Sequence, residues 1–384
     1  MLPCQRHLFD IPDDIAYLNC AYMSPLMKTV ADAGREGIET KVSPWRLYPE
    51  DFFSGAERGR ALFARLIGAD AGDIAIVPSA SYGIAVAACN LPVARGDEIV
   101  LLEDQFPSNV YAWTDLADRT GATIRTVSRA EARSGNRPGT DWTAALLEAI
   151  GERTAIVALA HCHWTDGSMV DLEAVSEAAR AQGAALVVDA TQSLGAMPLD
   201  VGRIAPDFLV AATYKWLLGP YSLGFLYVAP GRQQGRPLEH NWITRAGSED
   251  FSGLVSYRDD WQPGARRFDM GERANFQLMP MAAAALEQIL AWGTDAIATT
   301  LAARTAAIAD AAAELGLTVG PSHLRAGHFL GLRFPGGLPD GLLPALAQRN
   351  VFVSVRGDSM RVTPHLYNTD ADTERLLDAL KAVM

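Results

Sequence analysis

The chain has 384 residues, 49% of them hydrophobic and 20% charged, which suits a globular protein large enough for two domains and excludes a disordered or fibrous one. Its formal net charge of −12 argues against a nucleic acid or an anionic membrane as partner of the whole molecule. Cys4, Cys20, Cys89 and Cys162 are scattered without a CxxC pair, so a reducing compartment is expected. The opening MLPCQRHLFDIPDD lacks a basic segment followed by an apolar run, and no apolar stretch is long enough to cross a bilayer. These features predict a cytoplasmic protein.

From residue 73 to residue 228, short apolar runs alternate with helical spacing. The runs are DIAIVP (73–78), EIVLL (98–102), TAIVALA (154–160), ALVVD (185–189), FLVA (208–211) and GFLYV (224–228). Continuous apolar runs suit strands buried on both faces, as in a parallel sheet. An amphipathic helix is predicted over 171–182. Surface loops are predicted at 128–141 and 230–237, where charge, Gly and Pro collect. The pattern is α/β and doubly wound. After about residue 260 it changes: an Ala-rich helix over 297–315, strands at 329–334 and 351–355, and a last helix over 370–383, capped by Thr369 or Asp370. A large domain over 15–260 and a small α+β domain over 261–384, taken with 1–14, are expected.

In an open parallel sheet, ligands bind beyond the carboxyl ends of the strands. Five predicted strand ends carry polar or aromatic groups there: Ser79 to Gly83, Glu103 to Asn109, His161 to Trp164, Asp189 to Gln192, and Thr213 to Trp216. That convergence says more than any one segment. Small residues and hydroxyls at 79–83, ahead of a helix, can bind a phosphate through backbone N–H groups and the helix dipole; plain N-capping explains the same residues. Neither GxGxxG nor GxxxxGK[ST] occurs, so the dinucleotide and nucleotide triphosphate fingerprints are missing.

Asp189, ending an apolar strand, needs a cation, a helix N-terminus or a protonated heterocycle as partner. Lys215, between Tyr214 and Trp216, either snorkels at a strand end or acts as an amine nucleophile whose pKa is lowered by apolar surroundings. His161 and His163 fall on one side of a continuing strand. With Asp189 they could hold zinc in a hydrolase, although no fourth ligand is evident; His163 reads equally well as a satisfied buried histidine. Phe106 is core unless a flat ligand needs a stacking face.

The run ALVVDATQSLGAMPLDV…PDFLVAATYKWLLGPYSLGFLYV resembles the class V aminotransferase family of fold-type I enzymes, which depend on pyridoxal 5′-phosphate (PLP). That family includes cysteine desulfurases, selenocysteine lyases, kynureninases and isopenicillin N epimerase. The likeness runs from YLNCAYMSPL at Tyr17 to MRVTPHLYNTDADTERLLDAL near the C-terminus. It implies the PLP-dependent transferase-like fold, a large domain with a mostly parallel sheet and a smaller α+β domain.

Residue by residue, the resemblance makes Lys215 the catalytic Schiff-base lysine and Asp189 the partner of the pyridine nitrogen. Gln192 falls near the phenolic oxygen, and Phe106 takes the ring-stacking position. Ala80, Ser81 and Tyr82 form the phosphate turn, which Thr213 or Tyr214 also reaches. His161 joins the cofactor contacts. Arg361 binds the substrate carboxylate through its planar fork, with Asn19 and Tyr22 on the substrate side. The loop 264–278, with Arg266, Arg267 and Arg273, matches one that approaches the neighbouring subunit's phosphate, so Gly271 and Asn275 are cofactor contacts across a two-fold homodimer.

Two departures shape the functional expectation. The segment NVFVSVRGDSMRV holds no cysteine where desulfurases carry the catalytic one, which argues against persulfide chemistry. Trp164 stands where many relatives place a polar cofactor contact. The expected activity is chemistry at Cα of an amino acid, of aminotransferase or lyase type. Epimerisation and kynureninase-like side-chain cleavage are alternatives, and a PLP-binding regulator without turnover is an alternative of another class.

Overall fold

The apolar runs form strands buried along nearly their whole length in the computed structural model, which describes residues 1–134 and 139–384. A short strand β1 (Ala16–Tyr17) and helices α1 (Lys28–Val42) and α2 (Asp51–Ile67) come first. There follow β2 (Ile74–Val77), α3 (Ala80–Asn90), β3 (Glu98–Leu102), α4 (Tyr111–Thr120), β4 (Thr123–Val127), α5 (Arg129–Ala132) and α6 (Trp142–Ala149). Next come β5 (Thr154–Ala160), α7 (Leu172–Ala181), β6 (Ala185–Asp189), α8 (Val201–Ile204), β7 (Phe208–Ala212) and β8 (Gly224–Val228). The main sheet has the order β2-β8-β7-β6-β5-β3-β4. Only β8 runs against its neighbours β2 and β7.

Alternate residues of these strands enter two different cores. Val100, Leu102, Val157, Leu159, Leu186 and Val188 face one side. Ile99, Leu101, Ile156, Ala158, Ala185 and Val187 face the other. The period of two thus buries both faces under helices, as a doubly wound sheet requires. The edge strand β4, TIRTV, is only partly buried, so no continuous apolar run announces it. Within the loop expected over 128–141, α5 forms on a capping box in which Ser128 accepts from the Glu131 amide and Glu131 returns the bond. Part of that expected loop, 135–138, lies outside the described residues.

The remaining elements are α9 (Leu278–Trp292), α10 (Thr294–Glu314), β9 (Thr318–Val319), β10 (Leu330–Arg333), α11 (Leu342–Ala347), β11 (Val351–Phe352), β12 (Ser354–Arg356), β13 (Ser359–Val362) and α12 (Asp370–Lys381). Strands β12-β13-β10-β9 form a second, antiparallel sheet. The strand expected over 351–355 divides at Val353: β11 pairs with β1, whereas β12 joins the second sheet. Helix α9 packs on α1 and α2, and its Met279, Ala282 and Leu286 lie in the first core. Ala16 and Leu18 join a third core with Leu330, Leu332, Met360 and Val362. Thr369 caps α12, completing a capping box with Asp372. Among the described residues no helix is long and apolar enough to cross a membrane, and all four cysteines are free.

Candidate active site

The ends of β2, β3, β5, β6 and β7 open into a cavity of about 250 Å³ whose walls include Ser79, Ser81, Phe106, Trp164, Asp189 and Lys215. At one end stands the N-terminus of α3. Ser79 caps it, its Oγ 3.2 Å from the Tyr82 amide and 2.8 Å from Ser81 Oγ. Gly83 lets this helix lie close on β7: a Cβ there would meet Val210 Cγ2 at 2.7 Å. Ala80 and Ser81 line the cavity, so first-turn amides and a hydroxyl pair converge where an anion is favoured.

Lys215 lies just beyond β7. It is 6% exposed, and its Nζ sits 5.4 Å from the ring centroids of both Phe106 and Tyr214. Burial pushes its pKa down to about 8; Asp189 opposes that shift, and Arg361 and Arg356 add to it. Among the described residues no hydrogen bond engages Nζ, so the amine is free to react. Asp189, ending β6, accepts the Thr191 amide at Oδ1, 3.0 Å away. Its second oxygen has no hydrogen bond among the described residues.

Gln192 lines the same cavity but is fixed by its neighbours. Its Nε2 donates to Ala21 O at 3.1 Å, and Trp216 Nε1 donates to its Oε1 at 3.0 Å. Phe106, 37% exposed, presents its ring to the cavity and meets Trp164 edge-on with centroids 5.3 Å apart. Trp164 Nε1 donates to Asp104 O at 2.6 Å. The connection from Lys215 to β8 carries two non-glycine residues with left-handed backbone, Leu218 (φ 53°) and Ser222 (φ 66°). Such conformations are uncommon and collect at functional loops.

Arg361, on β13, lies over the indole of Trp164, which lines the cavity, but is not itself among the lining residues. It is 1% exposed. Its Nε and Nη2 donate to Ser354 Oγ at 3.0 and 2.7 Å, and its Nη1 to Trp164 O at 2.9 Å. Ser354 in turn donates to Asn19 Oδ1 at 2.8 Å. Asn19 therefore reaches Arg361 through Ser354, and Tyr22, 53% exposed, is not among the residues lining the cavity. Burial, then Arg356, pushes the Arg361 pKa down to about 9.

Several expected residues are not brought to the cavity. His161 lines a separate groove with Asp171 and Asp200, and its Nδ1 lies 3.0 Å from Ser193 Oγ. The strand stops at Ala160, so the alternation assumed for His161 and His163 does not continue. His163 is a satisfied buried histidine: Nε2 is 3.0 Å from Glu103 O, Nδ1 is 2.8 Å from Thr165 Oγ1, and the ring stacks on Trp142. Burial lowers both histidine pKa values to about 4. Among the described residues no three His, Cys, Asp or Glu side chains group to hold a metal, which removes the zinc reading.

Thr213 turns inward, its Oγ1 2.6 Å from Pro220 O and 2.9 Å from Leu223 O. Tyr82 lies outside the cavity wall, whereas Tyr214 is part of it. Gly271 N donates to Glu239 Oε2 at 2.6 Å, and Asn275 Oδ1 accepts the Leu278 amide at 2.9 Å; both lie away from this chain's own cavity. The loop arginines serve the chain itself. Arg266 pairs with Glu57, Arg267 donates to Gly235 O and Gln234, and Arg273 is fully buried on Asp269. Ser108, Thr191, Tyr221 and Ser222 line the cavity without having been singled out as site residues. The first two lie within the polar segments that follow β3 and β6. Tyr221 and Ser222 lie in the β7–β8 connection, whose only sequence signal is the Gly219-Pro220 turn.

A family model described as aminotransferase class-V matches residues 40–374. An uncharacterized aminotransferase of Bacillus subtilis is 28% identical over 85% of this chain and 83% of its own length. Isopenicillin N epimerase of Amycolatopsis lactamdurans is 25% identical over 98% of this chain and 97% of its own. Among solved structures, the apo cysteine desulfurase of Thermococcus onnurineus superposes with a TM-score of 0.85 at 20% identity, covering 100% of this chain and 99% of that one. The chain belongs to the class V aminotransferase family. It is accordingly a PLP-dependent enzyme of the aminotransferase or lyase type. The cavity's donor set fits that cofactor: a hydroxyl-lined helix N-terminus, an unengaged buried amine, an unengaged carboxylate oxygen and an aromatic face all line it.

Proposed function

We propose that Lys215 holds PLP as a Schiff base and that the enzyme works at Cα of an amino acid whose carboxylate is drawn to Arg361. The observation that carries this reading is the buried, unengaged Lys215 amine sharing one cavity with Asp189. The bound cofactor supplies an electron sink for the bond broken at Cα. The unengaged oxygen of Asp189 would pair with the pyridine nitrogen of the cofactor. Phe106 would cover one ring face, and Ser81 with the first amides of α3 would take the phosphate. The Lys215 amine would also serve as the base that holds or moves the proton at Cα, and its lowered pKa keeps much of the free amine neutral near pH 8. No cysteine lines the cavity, so aminotransfer or lyase chemistry is favoured over a cysteine-borne persulfide.

The reading includes an isologous homodimer in which Gly271 or Asn275 approaches the partner's phosphate. It is supported by an apolar surface beside that loop: Phe276 packs edge-on against Phe52, which also meets Trp242 and Phe251. Trp45, Tyr48, Val255 and Tyr257 are each more than 60% exposed. So much exposed apolar surface marks an interaction site.

One preparation tests both parts. The sequence has four lysines, Lys28, Lys41, Lys215 and Lys381, and only Lys215 is buried. The purified protein is expected to be yellow, to carry borohydride-reduced PLP on Lys215 by mass spectrometry, and to sediment as a dimer at low micromolar concentration. An adduct on another lysine, or none, overturns the cofactor assignment. A monomer that keeps PLP and turns over overturns the shared site.

A further inference from the structure

The β12–β13 hairpin pairs Ser354 with Arg361 and Arg356 with Ser359. Residues opposite one another share a face, so Arg356 and Arg361 are diagonal neighbours on the same side. Both guanidinium groups lie over the Trp164 indole, at 5.5 Å for Arg356 and 5.9 Å for Arg361. Trp164 is itself a wall of the cavity that holds Lys215.

Neither arginine has a carboxylate partner among the described residues. Arg361 has only the neutral acceptors Ser354 Oγ and Trp164 O. Arg356 donates to Val355 O at 2.7 Å. Two like charges on one face, one of them out of water, oppose folding unless an anion answers them. Both also depress the protonation of Lys215, so their field reaches the reacting amine. A substrate α-carboxylate fills one planar fork, which leaves the other arginine unanswered.

We propose that the substrate is a dicarboxylic amino acid, its α-carboxylate on Arg361 and its side-chain carboxylate on Arg356, with the methylenes between them lying on Trp164. The inference rests on the reading of Lys215 as the cofactor lysine. The phosphate-binding end, at α3, is served by separate groups, so the two arginines remain for the substrate.

The test is calorimetric titration of the holoenzyme with glutarate and with valerate, which share five carbons and differ by one carboxylate. Glutarate is expected to bind about ten-fold tighter or more. Arg356→Gln should abolish that advantage and leave valerate binding unchanged, whereas Arg356→Lys should keep part of it. Unchanged valerate binding also shows that the variant is folded. Equal binding of the two acids by the wild type, or a preference that survives Arg356→Gln, overturns the proposal. A Lys215 adduct without a glutarate preference sinks the diacid inference and leaves the cofactor reading standing. Loss of the adduct strikes the cofactor reading, and the calorimetric preference then decides the arginine site by itself.

Discussion

Arg60 and Arg361 are equally withdrawn from water, at 0% and 1% exposure, in opposite company. Arg60 grips both oxygens of Asp269 at 2.9 and 2.7 Å and reaches Glu57 at 3.1 Å. Arg273 shares the same carboxylate, and Asp269 also accepts the Ile76 amide at 2.7 Å. Burial opposes the charge of Arg60, but Asp269 outweighs it and holds that pKa above the ordinary value. Around Arg361 no acid answers, and burial wins. An arginine buried with its carboxylate joins α2, β2 and the 264–278 loop into scaffold. An arginine buried without one, against a wall of the cavity, is the group proposed to take the substrate carboxylate.

Three measurements press on this contrast. Asp269→Ala removes the carboxylate shared by two buried cations, leaving Arg60 with Glu57 alone and Arg273 with no salt-bridged acid among the described residues. It should cost about 3–5 kcal/mol in urea unfolding; an unmoved midpoint would show that the cluster is not scaffold. The cationic side of the comparison is read through Lys215 in PLP-free protein. Its pKa is about 8 when folded, against an ordinary value of 10.5. Between those values the unfolded chain holds a proton that the folded chain has released. Stability should therefore climb by up to about 3 kcal/mol as pH rises from about 8 to 10.5 and stay level below that window on this group's account. Lys215→Met should flatten the climb, and a climb that persists assigns it to another group. The smallest effect is expected for Arg361→Lys, which keeps the charge but loses the fork. It should raise KM for the amino acid by the equivalent of about 1.5–3 kcal/mol, with little change in urea midpoint. A large midpoint loss would place Arg361 with Arg60 as scaffold.

The sheet was legible because β2, β3, β5, β6, β7 and β8 are apolar on both faces, and burial on both sides leaves that trace in one dimension. The edge strand β4 was not, since an edge tolerates Thr and Arg. Lys215 and Asp189 were found as polar residues ending apolar strands, and the cavity gathers both. The shared face expected for His161 and His163 failed because the alternation rule holds only while the strand lasts, and β5 ends at Ala160. The loop arginines misled because they are close to one another in sequence whereas Glu57, the acid partner of Arg266, is 209 residues away, and Asp269, the partner of Arg273, is shared with the distant Arg60. Arg356 gave no signal at all, because what marks it is a missing partner, and that is visible only in three dimensions.

Residues 16–24 fasten together parts made at very different times. β1 pairs with β11, Ala16 opposite Val351. The Cys20 amide donates to Thr363 O, and Asn19 meets Ser354. Ala21 O holds Gln192, and the Ser24 amide donates to Tyr214 O. On the ribosome, this segment emerges early and has no strand partner until residues beyond 351 have been made. The main sheet needs nothing past Val228 for its strands and can assemble first. The alignment of the lysine segment with the arginine hairpin is thus completed only after β11 has been made and captures β1, and closing so long a loop is an intrinsically slow step.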